Sequence, residues 1–150
     1  MRKTLFRPED KEEMLARIRR LTPSSRPLWG KMGVAQMFAH CSVGLRAALS
    51  DLKPKRALMG ILFGRLAKRG LTNDKPFGRN LPTGPEFKIT EPRDFDRERR
   101  ELEQWVERFA SGGDAALSPH PHPFFGVLTS AEWQALMWKH LDHHLRQFGA

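Results

Sequence analysis

The chain has 150 residues and a net charge of +9, with shares of hydrophobic (39%) and charged (29%) residues that are ordinary for a soluble globular protein. This length suits a single domain, over residues 1–150, that can bury one core. The single cysteine, Cys41, excludes an intrachain disulfide, and residues 1–8 lack the apolar run of a signal peptide. Because no stretch approaches the ~20 apolar residues that span a bilayer, we expect a cytoplasmic protein without a transmembrane segment.

The first two helices are indicated by apolar residues at helical spacing. Pro8 suits a first helical turn, the acidic residues after it complement the positive helix end, and that helix is predicted to run to about Leu21. A second helix, predicted from about Gly33 to Leu49, carries His40 and is apolar on two sides, which is typical of a central helix. Gly44 shares the face of His40 and leaves room there for a ligand.

A short apolar segment from Ala57 to Lys68 follows. Its large apolar residues recur at helical spacing, which predicts a short helix that covers the rest of the domain: Leu58, Ile61, Leu62 and Leu66. The alternative is a helix that lies on a membrane. The brevity of the segment and its two glycines, Gly60 and Gly64, favour the covering role.

The basic charge is concentrated between Lys53 and Arg79, where eight lysines and arginines stand against Asp74 alone. We call this stretch the basic block. It predicts either a solvated basic face or a surface for nucleic acid, an anionic membrane or a charged substrate. Because no nucleic-acid motif accompanies the charge, the solvated face is favoured.

Glycines and prolines from Gly70 to Pro92, including the run Pro82 to Pro85, predict a long irregular connection. Loops of this length inside a compact domain are often functional. We therefore expect the part from Gly70 to Phe87 to pack near the histidines as a lid or wall.

The last two helices are predicted from Asp94 to Ala110, stopped by Gly112 and Gly113, and from Thr129, which opens a capping box, to Phe148. We found no convincing strand. His140 and His144 lie one turn apart in the final helix, within roughly 60° of the middle of its apolar stripe. Neutral imidazoles without partners are disfavoured there, so they are predicted to be either metal ligands or hydrogen-bonded core residues.

From the residues alone both readings stay open: a hydrogen-bonded core, or metal ligation in which His40 converges with His140 and His144 in the fold. Imidazole binds zinc, nickel, iron and copper. Three protein ligands, rather than four, leave coordination positions open, as catalytic metal sites do.

Several stretches resemble one uncharacterised branch of the DinB/YfiT-like superfamily. The resemblance is strongest over His122 to Gly126 (HPFFG) and His140 to Gly149 (HLDHHLRQFG). Trp29 to Met32 and Gln36 to His40 are similar to the segment that supplies the superfamily's first metal ligand, and Pro82 to Phe87 resembles the middle loop of the branch. The likeness covers nearly the whole chain.

The resemblance implies an all-α four-helix bundle with up-down-down-up topology, a short extra helix and a long loop between helices 2 and 3. It also implies a divalent metal site whose ligands are His40, His140 and His144, with Gln147 as the polar residue that follows the last ligand. Zinc or nickel is the expected ion, and iron or manganese are alternatives.

Relatives in the superfamily include thiol-dependent transferases and metal-dependent isomerases, but the branch has no assigned reaction. We therefore expect a metal-dependent transferase or hydrolase that activates a water or a low-molecular-weight thiol toward a small substrate. The alternative is a non-catalytic module that binds a partner or nucleic acid through the bundle or the basic block.

Further polar residues are candidates for pocket residues or for partners of the ligands: Gln36, His122, His143 and Gln147. His143 lies at the edge of the apolar stripe, and His122 precedes the final helix closely enough to reach the mouth of a site. His120 is expected on the loop surface. Cys41 points about 100° away from His40, which suits a core thiol better than a nucleophile.

A symmetric homodimer is predicted from apolar residues that lie beyond the metal stripe of the final helix: Trp138, Leu141 and Leu145. A small bundle has one interior, so additional apolar surface is expected to face another subunit.

Overall fold

The computed structural model of the chain describes residues 3–71, 73, 75–79, 81 and 83–150. Asp74 of the basic block and Pro82 of the long loop lie outside the described residues. The described helices are α1 (Pro8–Arg20), α2 (Val34–Ala48), α3 (Leu58–Lys68), α4 (Phe95–Gly112) and α5 (Ser130–Gln147), with short 3-10 turns at Pro85–Phe87 and Asp114–Ala116. An isolated bridge joins His122 and Gly126, but no strand occurs in this part of the chain, so the all-α class is confirmed.

The helix boundaries follow the capping residues that the sequence predicts. Pro8 stands in the first turn of α1, and the Asp94 side chain accepts a hydrogen bond from the Arg97 backbone N–H at the start of α4. Thr129 and Glu132 form the predicted capping box of α5. Glycine 113, with φ of 58°, ends α4, because this left-handed conformation is accessible to glycine at little cost. None of the described helices is long and apolar enough to cross a membrane.

The core lies between α1, α2, α4 and α5: both α1 and α2 pack against α4 and α5. Its largest fully buried side chains include Phe38 of α2, Phe109 of α4 and Trp133 of α5. The second helix is buried on two sides, as predicted, because Phe38 and His40 are both buried although they point in different directions. The up-down-down-up order of a four-helix bundle stays a prediction.

The short helix α3 contacts the rest of the chain through its glycines and not through its large apolar residues. Gly60 and Gly64 are buried against Phe124, where a Cβ on Gly60 would lie 2.5 Å from Phe124 Cα. The large side chains that were expected to cover the domain, Leu58, Ile61, Leu62 and Leu66, are 58–70% exposed. Helix α3 therefore lies against the loop before α5 through its glycines, and the expected covering face is wrong.

The surface predicted for dimerisation is also wrong. Trp138 is 9% exposed, and Leu141 and Leu145 are each 1% exposed, because all three pack into the core of their own chain. The final helix is held there partly by α1, whose Arg17 pairs with Asp142 at 2.8 Å. These apolar side chains have intramolecular partners and leave nothing for a second subunit, so a homodimer stays a prediction without this surface.

Two side chains form hydrogen bonds to the connection between α3 and α4. Lys139 of α5 donates hydrogen bonds to the Gly70 carbonyl and to Asn73 Oδ1, both at 2.9 Å. Gln36 of α2 donates to the backbone carbonyls of Thr90 and Glu91, both at 3.1 Å. The connection is thereby held across the face on which His40 lies.

Candidate metal centre

Three histidines from two helices meet at one point, as predicted. The centroids of the His40, His140 and His144 rings lie 4.8, 4.7 and 4.8 Å apart in the three pairings. One ring nitrogen from each histidine lies within 4.8 Å of the other two. The closest pair is His40 Nε2 and His140 Nε2, at 2.9 Å. We call these residues the histidine cluster.

The outward nitrogens of two of these rings are fixed by hydrogen bonds. His40 Nδ1 donates to the Phe87 carbonyl oxygen at 2.7 Å, and His144 Nδ1 donates to Gln147 Oε1 at 2.9 Å. Because both acceptors are oxygens without a proton, each Nδ1 carries the proton and each Nε2 keeps its lone pair. Gln147 Nε2 in turn donates to the Trp29 carbonyl at 2.8 Å, which fixes the orientation of the amide. This is how ligating histidines are held in metal sites.

The third ring, His140, is positioned by packing against α2. A Cβ on Gly44 would lie 3.2 Å from both Cε1 and Nδ1 of His140, closer than most such contacts. The absence of a side chain at Gly44 therefore lets α5 present His140 beside His40 across the helix interface. Gly44 is the residue that the sequence predicts to leave room for a ligand.

The environment keeps all three rings neutral. Burial lowers the pKa of His40, although the hydrogen bond to Phe87 raises it in part. Burial, followed by the neighbouring His40, lowers the pKa of His144 to about 3 and holds that of His140 well below its usual range. Since only neutral imidazole binds a metal ion, the cluster is in its ligand form at neutral pH.

The donor set fits a divalent ion better than it fits a hydrogen-bonded core. A proton on one Nε2 satisfies the His40–His140 contact, but it offers nothing to His144 Nε2, which has no hydrogen-bond partner among the described residues. Three neutral ring nitrogens that lie within 4.8 Å of one another are a ligand set for zinc, nickel or iron. The hydrogen-bonded alternative therefore accounts for two of the rings and not for the third.

His143 lies beside the histidine cluster and does not belong to it. Its half-buried ring lies 5.6 Å from Trp29, 6.4 Å from Phe77 and 5.0 Å from His144. Burial lowers the pKa of His143, and a hydrogen bond to the Phe77 backbone raises it. The ring forms part of the wall around the cluster, as expected for an edge position.

His122 organises the turn before α5. Its Nδ1 accepts hydrogen bonds from the backbone N–H groups of Phe124 and Phe125, at 3.1 and 3.2 Å. Its ring lies 6.4 Å from that of Phe87, the residue whose carbonyl binds His40. Burial, followed by the charge of Arg56, lowers the pKa of His122 to about 4. His122 therefore borders the cluster through Phe87 and holds its own loop.

Of the remaining candidate residues, only Gln147 forms a side-chain hydrogen bond with the histidine cluster. Gln147 touches His144, as expected, whereas Gln36 is engaged with the backbone of Gly33, Thr90 and Glu91. His120 is exposed. Cys41 is buried, which raises the pKa of its thiol well above the usual range, so it is a core residue as predicted.

The connection after α3 contributes a wall, as expected for its described residues. Phe87 supplies the carbonyl for His40, Phe77 packs against His143, and the Arg79 guanidinium lies 4.4 Å from the Trp29 ring centroid. The two backbone carbonyls that hold the cluster, of Phe87 and Trp29, were not predicted. The only sequence signal for them is that both belong to segments rich in glycine and proline.

The family model described as "Protein of unknown function (DUF1569)" matches residues 2–150. No curated protein and no solved structure matches the chain. Residue roles therefore follow from the geometry of the chain itself.

Proposed function

Because this chain belongs to the DUF1569 family, whose description names no activity, we propose from the site alone that it is a metal-dependent enzyme. Its divalent ion is held by His40, His140 and His144. The observation that carries this proposal is the convergence of three neutral rings, two of which have their outer nitrogens bound to oxygens of the chain.

A divalent ion in this position supplies Lewis-acid activation of a water or a low-molecular-weight thiol. Three protein ligands leave room for such a molecule, and an all-imidazole set suits zinc or nickel, with iron or manganese as alternatives. The reaction class we propose is transfer to, or hydrolysis of, a small electrophilic substrate.

The chain's own residues orient the ligands and limit access of water to them. The Phe87 carbonyl and Gln147 fix the tautomers of His40 and His144, and thereby the direction of their lone pairs. Trp29 and Phe77 form an aromatic wall beside His143, and Arg79 stacks on Trp29. Limited access of water strengthens electrostatic interactions with whatever enters.

We also propose that the chain belongs to the DinB/YfiT-like superfamily and folds as an up-down-down-up four-helix bundle. The support is the packing of α1, α2, α4 and α5 and the origin of the histidines, one from α2 and two from α5. A homodimer and a cytoplasmic location complete this proposal, without the α5 surface on which the dimer was first predicted.

Metal content tests the ligand assignment. Protein purified without a histidine tag is stripped with a chelator, incubated with zinc or nickel, and analysed for elements after removal of free ion. We expect one ion per chain, and its loss in His40→Ala, His140→Ala and His144→Ala. The matched controls are His120→Ala on the exposed loop and His143→Ala beside the cluster, which should retain the ion. Retention of one ion by all three variants would show that these histidines are not the metal ligands.

Cobalt substitution tests the open position, which separates a catalytic site from a structural one. The visible spectrum of the cobalt-loaded chain should change when cysteine or azide is added, because an exogenous ligand enters the coordination sphere. A spectrum that neither compound changes would show a closed site and would exclude the proposed enzyme.

The alternative of a non-catalytic binding module makes the opposite prediction. Binding of nucleic acid or another partner through the basic block should weaken steeply with salt and should be indifferent to removal of the metal. Exposure of most of the described basic residues of the block supports this alternative, because their charges are accessible.

A further inference from the structure

Helix α3 presents an apolar surface to solvent. Its large side chains are 51–70% exposed: Leu58, Met59, Ile61, Leu62, Phe63 and Leu66. We call this surface the apolar face of α3. Singly exposed leucines are common, but a contiguous apolar patch of this kind on one helix marks an interaction site.

The helix is fixed with this face outward. Gly60 and Gly64 lie directly on the Phe124 backbone, and a side chain at either position would overlap it. The Ala57 backbone N–H donates to the Pro123 carbonyl at 3.0 Å, before the first turn of α3. At the other end, Lys68 Nζ lies 2.9 Å from Glu132 of α5. The glycine side cannot be exchanged for the leucine side without rebuilding this contact.

Positive charge surrounds the apolar face. Lys53, Lys55 and Arg56 precede α3, and the helix and its C-cap carry further arginines, Arg65 and Arg69. The sequence contains no acidic residue from position 52 to position 71. Neither Arg65 nor Arg69 forms an ion pair with any carboxylate in the described part of the chain. The surface thus combines apolar side chains with positive charge that no carboxylate of the described residues pairs at Arg65 and Arg69.

We propose that α3 docks the protein on the surface of an anionic lipid bilayer. The helix is about 16 Å long, so it lies in the plane of the interface and does not cross the bilayer. Its leucines enter the boundary between headgroups and acyl chains, and the basic residues around them contact negatively charged headgroups.

The charge argues against a second copy of the chain as the occupant. Symmetric pairing of two α3 helices would bring Arg65 and Arg69 of both copies to one interface, where like charges repel. It also argues against nucleic acid, because phosphate binding would use the arginines and leave the leucines exposed. A bilayer of anionic lipid satisfies both components of the surface. This docking goes beyond the proposed metal chemistry and does not depend on it.

Vesicle sedimentation tests the proposal on the full chain. We expect the protein to sediment with phosphatidylcholine vesicles that contain phosphatidylglycerol, and to remain in the supernatant with phosphatidylcholine alone. Leu62→Glu should weaken binding to the anionic vesicles by about tenfold or more, since burial of one leucine is lost and a negative charge is added. Arg65→Gln combined with Arg69→Gln should weaken it by about fivefold for each arginine.

Matched controls carry the same changes away from α3. Leu28 is as exposed as Leu58, but its backbone N–H bonds to the Gln147 carbonyl at the far end of α5, so Leu28→Glu should leave vesicle binding unchanged. Arg20→Gln with Arg26→Gln removes two charges on α1 and the loop after it, and should have little effect. Helical circular dichroism of each variant confirms that it is folded.

Three contrary results would overturn the proposal, and the first two would identify a different occupant. A dimer by light scattering that Leu62→Glu converts to a monomer would assign the face to a second copy. Binding to DNA that Arg65→Gln weakens and Leu62→Glu does not would assign the charge to nucleic acid. A monomer that binds no vesicle, or that binds both kinds of vesicle equally, would remove the anionic bilayer as the occupant.

Discussion

Each ring of the histidine cluster is oriented by a different kind of neighbour. His40 binds a backbone carbonyl, His144 binds a side-chain amide, and His140 lies against the space left by a glycine. A backbone partner cannot be removed by substitution, whereas the amide and the glycine can. Gln147 and Gly44 are therefore the positions at which orientation can be tested without touching a ligand.

Gln147→Leu should weaken metal binding by about 10- to 100-fold, the usual cost of losing a hydrogen-bond partner of a ligating histidine. The substitution removes the acceptor of His144 Nδ1 and the donor to the Trp29 carbonyl together. Competition with a chromophoric chelator measures the affinity. Gln134→Leu is the matched control, because Gln134 lies on the same helix and bonds to Thr4 and Ser130. Equal affinities in the two variants would show that Gln147 does not orient a ligand.

Gly44→Ala should lower the metal affinity of the site without lowering the stability of the metal-free fold. The new Cβ lies 3.2 Å from His140 and forces the ring to move by a few tenths of an ångström, so metal affinity should fall by about tenfold. Alanine favours the helix by about 1 kcal/mol over glycine, so the metal-free protein should lose little or no free energy of unfolding. Chelator competition and urea unfolding measure the two effects. An unchanged affinity would mean that His140 is free to adjust.

The three rings could be predicted from the sequence, but their partners could not. His140 and His144 fall on one apolar face at helical spacing, and Gly44 is one turn from His40. Both pairs could be recognised because their members are four residues apart in a predicted helix. The carbonyl groups of Phe87 and Trp29 carry no signal of this kind, because every residue has a carbonyl and only the path of the loop selects one. Sequence patterns identify side chains, whereas the tertiary fold decides which backbone atoms reach them.

At the scale of the element, α3 shows where periodicity misleads. The spacing of Leu58, Leu62 and Leu66 predicted the helix correctly, and the expectation that such residues face inward failed. Two glycines on the opposite side of α3 let its backbone approach the loop before α5 more closely than any larger residue would allow. This close contact, and not burial of the leucines, sets the orientation of α3. The caps of α4 and α5 were predicted because Asp94 and Thr129 act locally, through bonds within one turn.

Gly64→Ala tests that close contact. The added methyl group overlaps the Phe124 carbonyl oxygen, a backbone atom that cannot rotate away, so α3 should detach from the loop before α5. We expect protease cleavage between residues 53 and 71 to accelerate, together with a loss of about 1–3 kcal/mol in the free energy of unfolding. Limited proteolysis with mass spectrometry locates the cuts. Arg65→Ala, at an exposed position of the same helix, should be cleaved at the same rate as the unchanged protein. If Gly64→Ala were also cleaved at that rate, the contact would be refuted.

At the scale of the whole molecule, one loop links the two surfaces to which we assign functions. Phe124 supports α3, and His122 in the same loop packs near Phe87, whose carbonyl holds His40. The histidine cluster and the apolar face of α3 are therefore connected through a single turn. His122 holds this turn by accepting two backbone hydrogen bonds on Nδ1. A protonated His122 cannot accept them, so the turn depends on pH.

Acidification should therefore destabilise the metal-free protein. In the unfolded chain histidines titrate near pH 6.5, whereas burial and then Arg56 lower the pKa of His122 to about 4 in the fold. Burial and then His40 lower that of His144 to about 3. Between those folded values and 6.5 the unfolded state binds more protons, so the free energy of unfolding rises with pH across this window and levels off by about pH 8. Urea unfolding of the chelator-treated chain between about pH 4.5 and pH 8 measures the curve. His122→Asn keeps an acceptor oxygen without the titration, so it should make the curve less steep, whereas His120→Asn on the exposed loop should not. Stability that is flat or increases below pH 6.5, or equal slopes in these two variants, would contradict a buried neutral His122.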